Sequence, residues 1–336
     1  MSKKVLLVFL SCLLLLGLFS VYAFAEGFDI AMVVKNVGNP FFDAVGRGGQ
    51  AAADEMGNTL IFQGPPTPTV EGQIEIISHL IAQEVDAIAV SANDFYALVP
   101  AMQRARDAGI LTISFDSGVH PDGRVLHINQ ADFEQIGRLQ VQAIAEMIDY
   151  EGEIAILSAG ATMTNQNIWI EWMREELKEP QYENVELVSV VFGDDLRDKS
   201  YNEAMGLFKS FPNLRGIISP TTVGIAATGK AISDAGLTGQ VQLTGLGLPS
   251  EMAEWILAGV CQAMFLWNPV DLGYLTTYVA GLLLDGTISG AVGETLTAGR
   301  MGEKSITTTA DGGLEVLLGP PFRFDATNIE EWKVVY

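Results

Sequence analysis

The side chains best suited to chemistry in this sequence are amides, carboxylates and hydroxyls that directly follow short apolar runs. They are Lys35 and Asn36, Asn93 and Asp94, Asp116, residues 165–167 (Asn-Gln-Asn), Thr221 and Thr222, and Asn268 with Asp271. A hydroxyl group both donates and accepts hydrogen bonds, and a carboxylate or amide can bond two adjacent hydroxyls. The set therefore suits a polyhydroxylated solute such as a sugar.

Aromatic residues close to these positions could cover the apolar C–H faces of such a solute. They are Phe41, Phe42, Trp169 and Trp267. Each residue also has a purely structural interpretation, because an Asn or Asp after a strand is often a helix N-cap. Asn165 and Asp271 stay open to that interpretation, and the aromatic rings stay open to a role in the core.

Motifs for catalysis, nucleotide binding and metal binding are missing from the sequence. The segment 224–230 fits GxxxxGK, but Ala231 stands where a Ser or Thr should hold magnesium. No GxSxG or HExxH occurs, and the three histidines and two cysteines have no zinc-ligand spacing. We therefore expect no catalytic residues, no metal and no cofactor, and the protein is not expected to be an enzyme.

The elements that must position the polar residues alternate between β-rich and amphipathic segments. Ile74, Ile77, Leu80 and Ile81 recur at helical spacing, for example. The predicted strands cover 28–35, 59–63, 87–91 and 111–116, and then 152–158, 185–192, 216–219, 241–246 and 263–267. The predicted helices cover 41–56, 70–84 and 98–108, and then 133–148, 165–177, 199–211, 225–235, 251–258 and 272–284.

Strand and helix in alternation predict an α/β fold with parallel sheets covered by helices on both faces. The pattern runs through once and then restarts after residue 130, so we expect two doubly wound lobes. Open parallel sheets bind ligands beyond the carboxyl ends of their strands. Two such lobes would therefore place the polar residues in the cleft between them.

The first 25 residues have the pattern of an export signal. Lys3 and Lys4 precede an apolar run over 5–18, and Ala23 and Ala25 occupy the positions read by a signal peptidase. Cleavage is expected before Glu26. Lipidation at Cys12 is disfavoured, because that cysteine lies in the middle of the apolar run.

The charge of the chain limits its partners. The sequence has 19 Lys and Arg against 41 Asp and Glu, a formal net charge of −22. Strong negative charge argues against binding to nucleic acid and to anionic membrane surfaces. A neutral solute is easier to reconcile with this charge than a phosphate.

Long motifs of the sequence resemble type I periplasmic binding proteins of the pentose and hexose group, and within it L-rhamnose-binding proteins. These motifs are KNVGNPFFDAV from Lys35, EGQIEIISHLIAQEVDAIAVSAND from Glu71, ISFDSGV from Ile113, TNQNIWI from Thr164, SPTTVG from Ser219, TGLGLPSEM from Thr244, LWNPVDLGY from Leu266 and TAGRMG from Thr297.

The resemblance implies two lobes joined by three crossing segments, near Asn129, near 267–268 and near 299–300. The first lobe would hold 26–128 plus 268–298, and the second 129–267 plus 299–336. It also implies an exported, monomeric protein that delivers a sugar to the permease subunits of an ABC importer.

The resemblance extends to autoinducer-2-binding proteins, whose site pattern is a Lys, an Asp, an Asp-Gln pair, and a Pro and an Ala. Lys35, Asp116, Gln166 and Pro220 match that pattern, whereas Asn165 replaces the second Asp and Thr222 replaces the Ala. These departures, together with the segments GLGLPSEM and LWNPVDLGY, favour L-rhamnose over autoinducer-2. Another deoxyhexose or a pentose stays open as the ligand, and so does an additional sensor role. The expected ligand contacts are Lys35, Phe41, Phe42, Asn93, Asp94, Asp116, Asn165, Gln166, Trp169, Pro220, Thr222, Leu248, Asn268 and Asp271.

Overall fold

The computed structural model describes residues 27–336, so the predicted export signal and its cleavage point lie outside the described residues. The first half of the chain alternates strands and helices as expected, and it ends in one strand that was not predicted. Its elements are β1 (Asp29–Val33), α1 (Pro40–Met56), β2 (Thr59–Gln63), α2 (Val70–Ala82), β3 (Ala87–Val90), α3 (Val99–Asp107), β4 (Leu111–Phe115) and the unpredicted β5 (Leu126–Asn129).

The alternation restarts after β5 and continues to the last long helix. These elements are α4 (Phe133–Met147), β6 (Gly152–Ser158), α5 (Thr164–Glu176), β7 (Val185–Phe192), α6 (Arg197–Ser210), β8 (Leu214–Ser219), α7 (Thr222–Asp234), β9 (Gln242–Gly245), α8 (Pro249–Leu257), β10 (Ala263–Leu266) and α9 (Pro269–Leu284). A tail of short elements follows, which the sequence did not predict. It contains β11 (Thr295–Thr297), β12 (Glu303–Thr308), β13 (Leu314–Leu317), β14 (Phe322–Asp325) and α10 (Ile329–Trp332).

Two main sheets organise these elements and confirm the predicted α/β fold of the type I periplasmic binding protein. The larger sheet has the strand order β11-β12-β13-β5-β4-β3-β1-β2, and the smaller has the order β7-β6-β8-β9. All pairs are parallel except β11 with β12 and β12 with β13. β10 pairs antiparallel with β14, and a bridge from Leu246 to Phe265 joins that pair to the smaller sheet. We call the larger sheet with its helices the first lobe and the smaller sheet with its helices the second lobe.

The tail differs from the sequence-based division, which placed 299–336 in the second lobe. β13 pairs in parallel with β5, with Val316 opposite Ile128, so β11 to β13 extend the sheet of the first lobe. The predicted crossing at 299–300 is instead the turn of the β11–β12 hairpin. The chain passes between lobes after β5, between β10 and α9, and a third time at 318–321. This arrangement was not predicted because β5 was not recognised as a strand, and β13 pairs with the edge of β5.

Local sequence explains why the first lobe forms as it does. Residues 30–33 of β1 and all of β3 are fully buried, as expected for parallel strands covered on both faces. Helix α1 begins at Asn39, whose Oδ1 accepts a hydrogen bond from the Phe41 backbone N–H, and Pro40 occupies the first helical position. It ends at Gly57, which adopts the left-handed conformation with φ of 72°. The cap fixes Phe41 and Phe42 at the end of β1.

Glycines allow α1 and α9 to pack with their backbones in contact. A methyl group on Gly273 of α9 would lie 1.8 Å from the Val45 carbonyl oxygen, and one on Gly48 of α1 would lie 1.7 Å from the Val270 carbonyl oxygen. Both distances are far below van der Waals contact. The pairing therefore ties α9, which follows the second crossing, to the helix that carries Phe41 and Phe42.

We expect Gly273→Ala to lower the free energy of unfolding by about 1–3 kcal/mol, because the added methyl forces the two helices apart. Gly206 is the matched control, since it lies in α6 and a methyl group there would have no atom within 4 Å. Gly206→Ala should raise the free energy of unfolding by up to about 1 kcal/mol, because alanine favours the helix. Urea denaturation without ligand measures both, and shifts in the same direction would contradict the role given to the α1–α9 contact.

Candidate ligand-binding site

A cavity lies between the two lobes, at the carboxyl ends of the strands. Its volume is about 40 Å³, on a scale where one water molecule needs about 10–15 Å³. So small a space excludes an oligomer. Its walls are formed by Lys35, Asn39, Phe41, Phe42, Asp116, Asn165, Gln166, Trp169, Asp195, Pro220, Thr221, Thr222, Leu246, Leu266 and Trp267.

A network of three buried side chains crosses the cavity from one lobe to the other. Lys35 and Asp116 follow β1 and β4 of the first lobe, and Asn165 lies in the first turn of α5 in the second. Lys35 Nζ donates to Asn165 Oδ1 at 3.2 Å, and Asn165 Nδ2 donates to Asp116 Oδ1 at 3.1 Å. Lys35 Nζ also lies 3.5 Å from Asp116 Oδ2. The amide is therefore fixed with its oxygen toward the ammonium and its nitrogen toward the carboxylate.

Asp116 is held in an unusual backbone conformation. Its φ of 55° lies in the left-handed region, which a residue with a side chain seldom occupies outside turns and functional sites. Ser91 Oγ donates to Asp116 Oδ2 at 2.7 Å, and the Asp116 backbone N–H donates to the Ile128 carbonyl at 3.2 Å. These contacts fix the direction in which the carboxylate points into the cavity.

Gln166 is oriented from the second lobe. Its Oε1 accepts hydrogen bonds from Ser158 Oγ and from the Ala159 backbone N–H, both at 3.1 Å. Pro220 and Thr222 line the same side of the cavity, since they follow β8 and begin α7. The second lobe thus contributes an oriented amide and a hydroxyl to the cavity wall.

Aromatic rings close the cavity on its apolar side. Phe41 packs edge-on against Phe42 and Trp267, with centroid distances of 5.2 and 6.1 Å, and Trp169 lies 5.9 Å from Trp267. The indole Nε1 groups of Trp169 and Trp267 are buried and have no hydrogen-bond acceptor among residues 27–336. Buried polar groups are normally paired, and both residues line the cavity, so these are two donors that a ligand oxygen could satisfy.

Five of the expected ligand contacts lie outside the cavity. Asn93 is buried and donates through Nδ2 to the carbonyl of Lys35 at 3.0 Å, so it supports the β1 loop from behind. Asp94 accepts from the backbone N–H groups of Tyr96 and Ala97, both at 2.8 Å. Both residues are structural.

The other three lie at the starts of α8 and α9. Leu248 is buried in the hydrophobic core at the start of α8. Asn268 caps α9, because its Oδ1 accepts from the backbone N–H groups of Val270 and Asp271. Asp271 forms an ion pair with Arg300 at 2.9 Å. The cap of this segment is thus Asn268 and not Asp271, which the sequence left open as a cap, whereas Asn165 lines the cavity.

Four residues of the cavity wall were not expected from the sequence: Asn39, Asp195, Leu246 and Leu266. Asp195 is the most consequential, because it adds a carboxylate. It accepts a hydrogen bond from the Thr221 hydroxyl, and burial raises the pKa of Asp195, although part of the side chain still meets solvent. The strand-end rule would have found it, since residues 193–195 follow the correctly predicted strand β7.

Among residues 27–336, no group of three or more His, Cys, Asp or Glu side chains could hold a metal ion. Within the same residues, no helix combines the length and the apolar character that crossing a membrane requires. The described polar groups of the cavity are those of a binding site that works through hydrogen bonds.

Comparison with known proteins agrees with this geometry. A family model described as a periplasmic binding protein domain matches residues 30–288. The chain is 26% identical to the D-allose-binding periplasmic protein of Escherichia coli, over 76% of this chain and 83% of that protein. It is also 26% identical to the D-ribose/D-allose-binding protein of Pseudomonas aeruginosa, over 64% of this chain and 69% of that protein.

Solved structures give the same picture. An ABC transporter solute-binding protein from Clostridium phytofermentas with bound L-rhamnose is 40% identical, with a TM-score of 0.91, over 93% of this chain and all of that one. The LsrB protein of Clostridium saccharobutylicum in complex with AI-2 has a TM-score of 0.86 at 21% identity, over 90% of this chain and 99% of that one, which shows the shared fold.

The chain therefore belongs to the periplasmic binding protein family, which consists of binding proteins and not of enzymes. Within that family it is a sugar-binding solute-binding protein of the ABC transporter class.

We expect Asp116→Ala and Asn165→Ala each to weaken sugar binding by roughly ten- to a hundredfold. Removing one partner of a buried hydrogen bond costs about 1–3 kcal/mol. Asp94→Ala is the matched control, because it removes a carboxylate that caps a turn outside the cavity. It should leave affinity unchanged, as calorimetry on all three variants can establish. Unchanged affinity in the two cavity variants, with a large loss of ligand-free stability, would show that these residues are structural instead.

Proposed function

We propose that this protein captures L-rhamnose outside the cytoplasm and, as a monomer, delivers it to the permease subunits of an ABC importer. The observation that carries the proposal is its 40% identity, over 93% of its length, to a solute-binding protein with bound L-rhamnose. The cavity supports it with polar groups from both lobes and with aromatic walls.

The chemistry of the cavity suits a deoxy sugar. Lys35, Asp116 and Asn165 offer one donor, one acceptor and one group that does both, as vicinal hydroxyls require. L-rhamnose also carries a methyl group, which needs apolar surface. Phe41, Phe42 and Trp169 provide such surface in the same cavity. A ligand of mixed polarity therefore finds partners on each side.

Capture would work through closure of the two lobes. A sugar that bonds Lys35 and Asp116 on one side and Gln166 on the other completes its hydrogen bonds only when the lobes are closed, so it favours that form. Direct contacts across the cleft support the same form, since Thr162 Oγ1 donates to the Asn93 carbonyl at 3.1 Å. The permease would then receive the closed, loaded protein.

Autoinducer-2 is the alternative ligand that the sequence left open. The likeness to the protein in complex with AI-2 lies at 21% identity and concerns the fold. Asn165 and Thr222, the two departures from the autoinducer-2 pattern, both line the cavity. Asn165 offers an N–H donor where a carboxylate only accepts, and this change favours a different arrangement of ligand oxygens.

Calorimetry against a panel of sugars tests the ligand. L-rhamnose should bind most tightly, and L-lyxose, which lacks the methyl group, should bind several-fold more weakly because a buried methyl contributes about 0.8 kcal/mol. L-fucose should bind far more weakly, because its inverted hydroxyls leave fixed polar groups without partners. Tight binding of autoinducer-2 without binding of L-rhamnose would refute the ligand assignment and leave the binding-protein class intact.

Membership of the family implies an extracytoplasmic location. We expect the exported protein to begin at Glu26, since Ala23 and Ala25 form the predicted cleavage signal. N-terminal sequencing of the secreted protein checks this expectation. A lipid-modified Cys12 or an uncleaved chain would contradict it.

A further inference from the structure

We propose that Asp195 determines the charge of the ligand that the cavity accepts, so that neutral sugars bind and their acidic derivatives are rejected. This inference rests on the proposed function, because it concerns the same cavity. Its basis is the position of Asp195 and the balance of charges around it.

The loop after β7 directs two adjacent carboxylates to opposite sides. Asp194 and Asp195 both adopt left-handed backbone conformations, with φ of 52° and 51°. The backbone N–H groups of Gly193 and Asp194 anchor the loop by donating to the carbonyls of Ser158 and Ala159, at 2.9 and 2.7 Å. This conformation is uncommon for residues with a side chain, and here it separates the two carboxylates.

The two carboxylates have different partners. Asp194 forms an ion pair with Lys199, whose side chain is exposed. Asp195 lines the cavity and accepts from the Thr221 hydroxyl. Among residues 27–336, no Lys, Arg or His lies within the 4.0 Å of an ion pair with Asp195. Its charge is therefore not neutralised by a direct contact.

The cavity consequently carries more negative than positive charge. Its described lining has one ammonium, Lys35, and two carboxylates, Asp116 and Asp195. Lys35 is already shared between Asp116 and Asn165. Burial raises the pKa of Asp195, and the positive charge of Lys35 opposes that shift. Lys35 is the one ammonium of the described lining and already contacts Asp116, so the cavity wall offers an anionic ligand no further positive group.

This balance selects ligands by charge. A carboxylate accepts hydrogen bonds from sugar hydroxyls, and such charge-assisted bonds are stronger than neutral ones. A ligand carboxylate or phosphate would instead meet two like charges in a cavity lined by protein, where repulsion is screened less than in bulk water. Asp195 therefore supports binding of a neutral sugar and opposes binding of an anion of similar shape.

The test compares two ligands and two matched variants by calorimetry. The ligands are L-rhamnose and L-mannuronate, which carries a carboxylate in place of the methyl group. Asp195→Asn removes the charge and keeps the shape, while Asp194→Asn makes the same change at the neighbouring residue outside the cavity. We expect Asp195→Asn to raise the dissociation constant of L-rhamnose about tenfold. The ratio of the L-mannuronate dissociation constant to the L-rhamnose dissociation constant should fall by about tenfold or more. Asp194→Asn should change neither quantity.

Thr221→Val provides a second variant, because it removes the hydroxyl that holds the Asp195 carboxylate. It should weaken L-rhamnose binding and leave the ratio of the two dissociation constants unchanged, since the charge of Asp195 remains. If wild-type protein binds L-rhamnose and Asp195→Asn leaves the preference unchanged, this inference is wrong and the proposed function stands. If wild-type protein binds no neutral sugar of the panel, both are wrong.

Discussion

A buried lysine is the constraint on which the rest of the site depends. The side chain of Lys35 is only 3% exposed, and an ammonium group taken out of water costs several kcal/mol unless charged and polar partners surround it. Its partners come from the end of another strand, through Asp116, and from the start of a helix in the other lobe, through Asn165. The two parallel sheets must therefore face each other with their carboxyl ends together, which is also the geometry that forms the cavity.

Much of the fold could be predicted because buried parallel strands are continuous apolar runs. The expected bounds of β2, β6 and β7 agree with the structure to the residue. The tail was not predicted, because β11 to β13 are short and partly exposed and contain alternating polar residues. Their pairing depends on the edge of β5, with Val316 opposite Ile128. That contact joins residues far apart in the sequence, so no local pattern signals it.

The sequence predicted a polar site between the lobes, but it did not predict every residue of that site. Asn165 and Asn268 each stand at a helix start that follows a strand, and each accepts a hydrogen bond from a backbone N–H group of its own helix. The Asn165 amide also reaches Lys35 and Asp116 in the other lobe, whereas the Asn268 amide is used entirely within its own turn. Only the contact of Asn165 with the opposite lobe distinguishes the two residues, and the sequence around each residue does not contain that information.

The third crossing between the lobes is rich in residues that restrict or free the backbone. The segment 318–321 reads Leu-Gly-Pro-Pro, and its start is anchored to the first crossing, because the Leu318 backbone N–H donates to the Asn129 carbonyl at 2.8 Å. Proline rings fix φ at Pro320 and Pro321, whereas Gly319 is free in both φ and ψ. The third crossing therefore has fewer free backbone torsions than a segment of four ordinary residues. The relative orientations of the lobes that this crossing permits are correspondingly fewer.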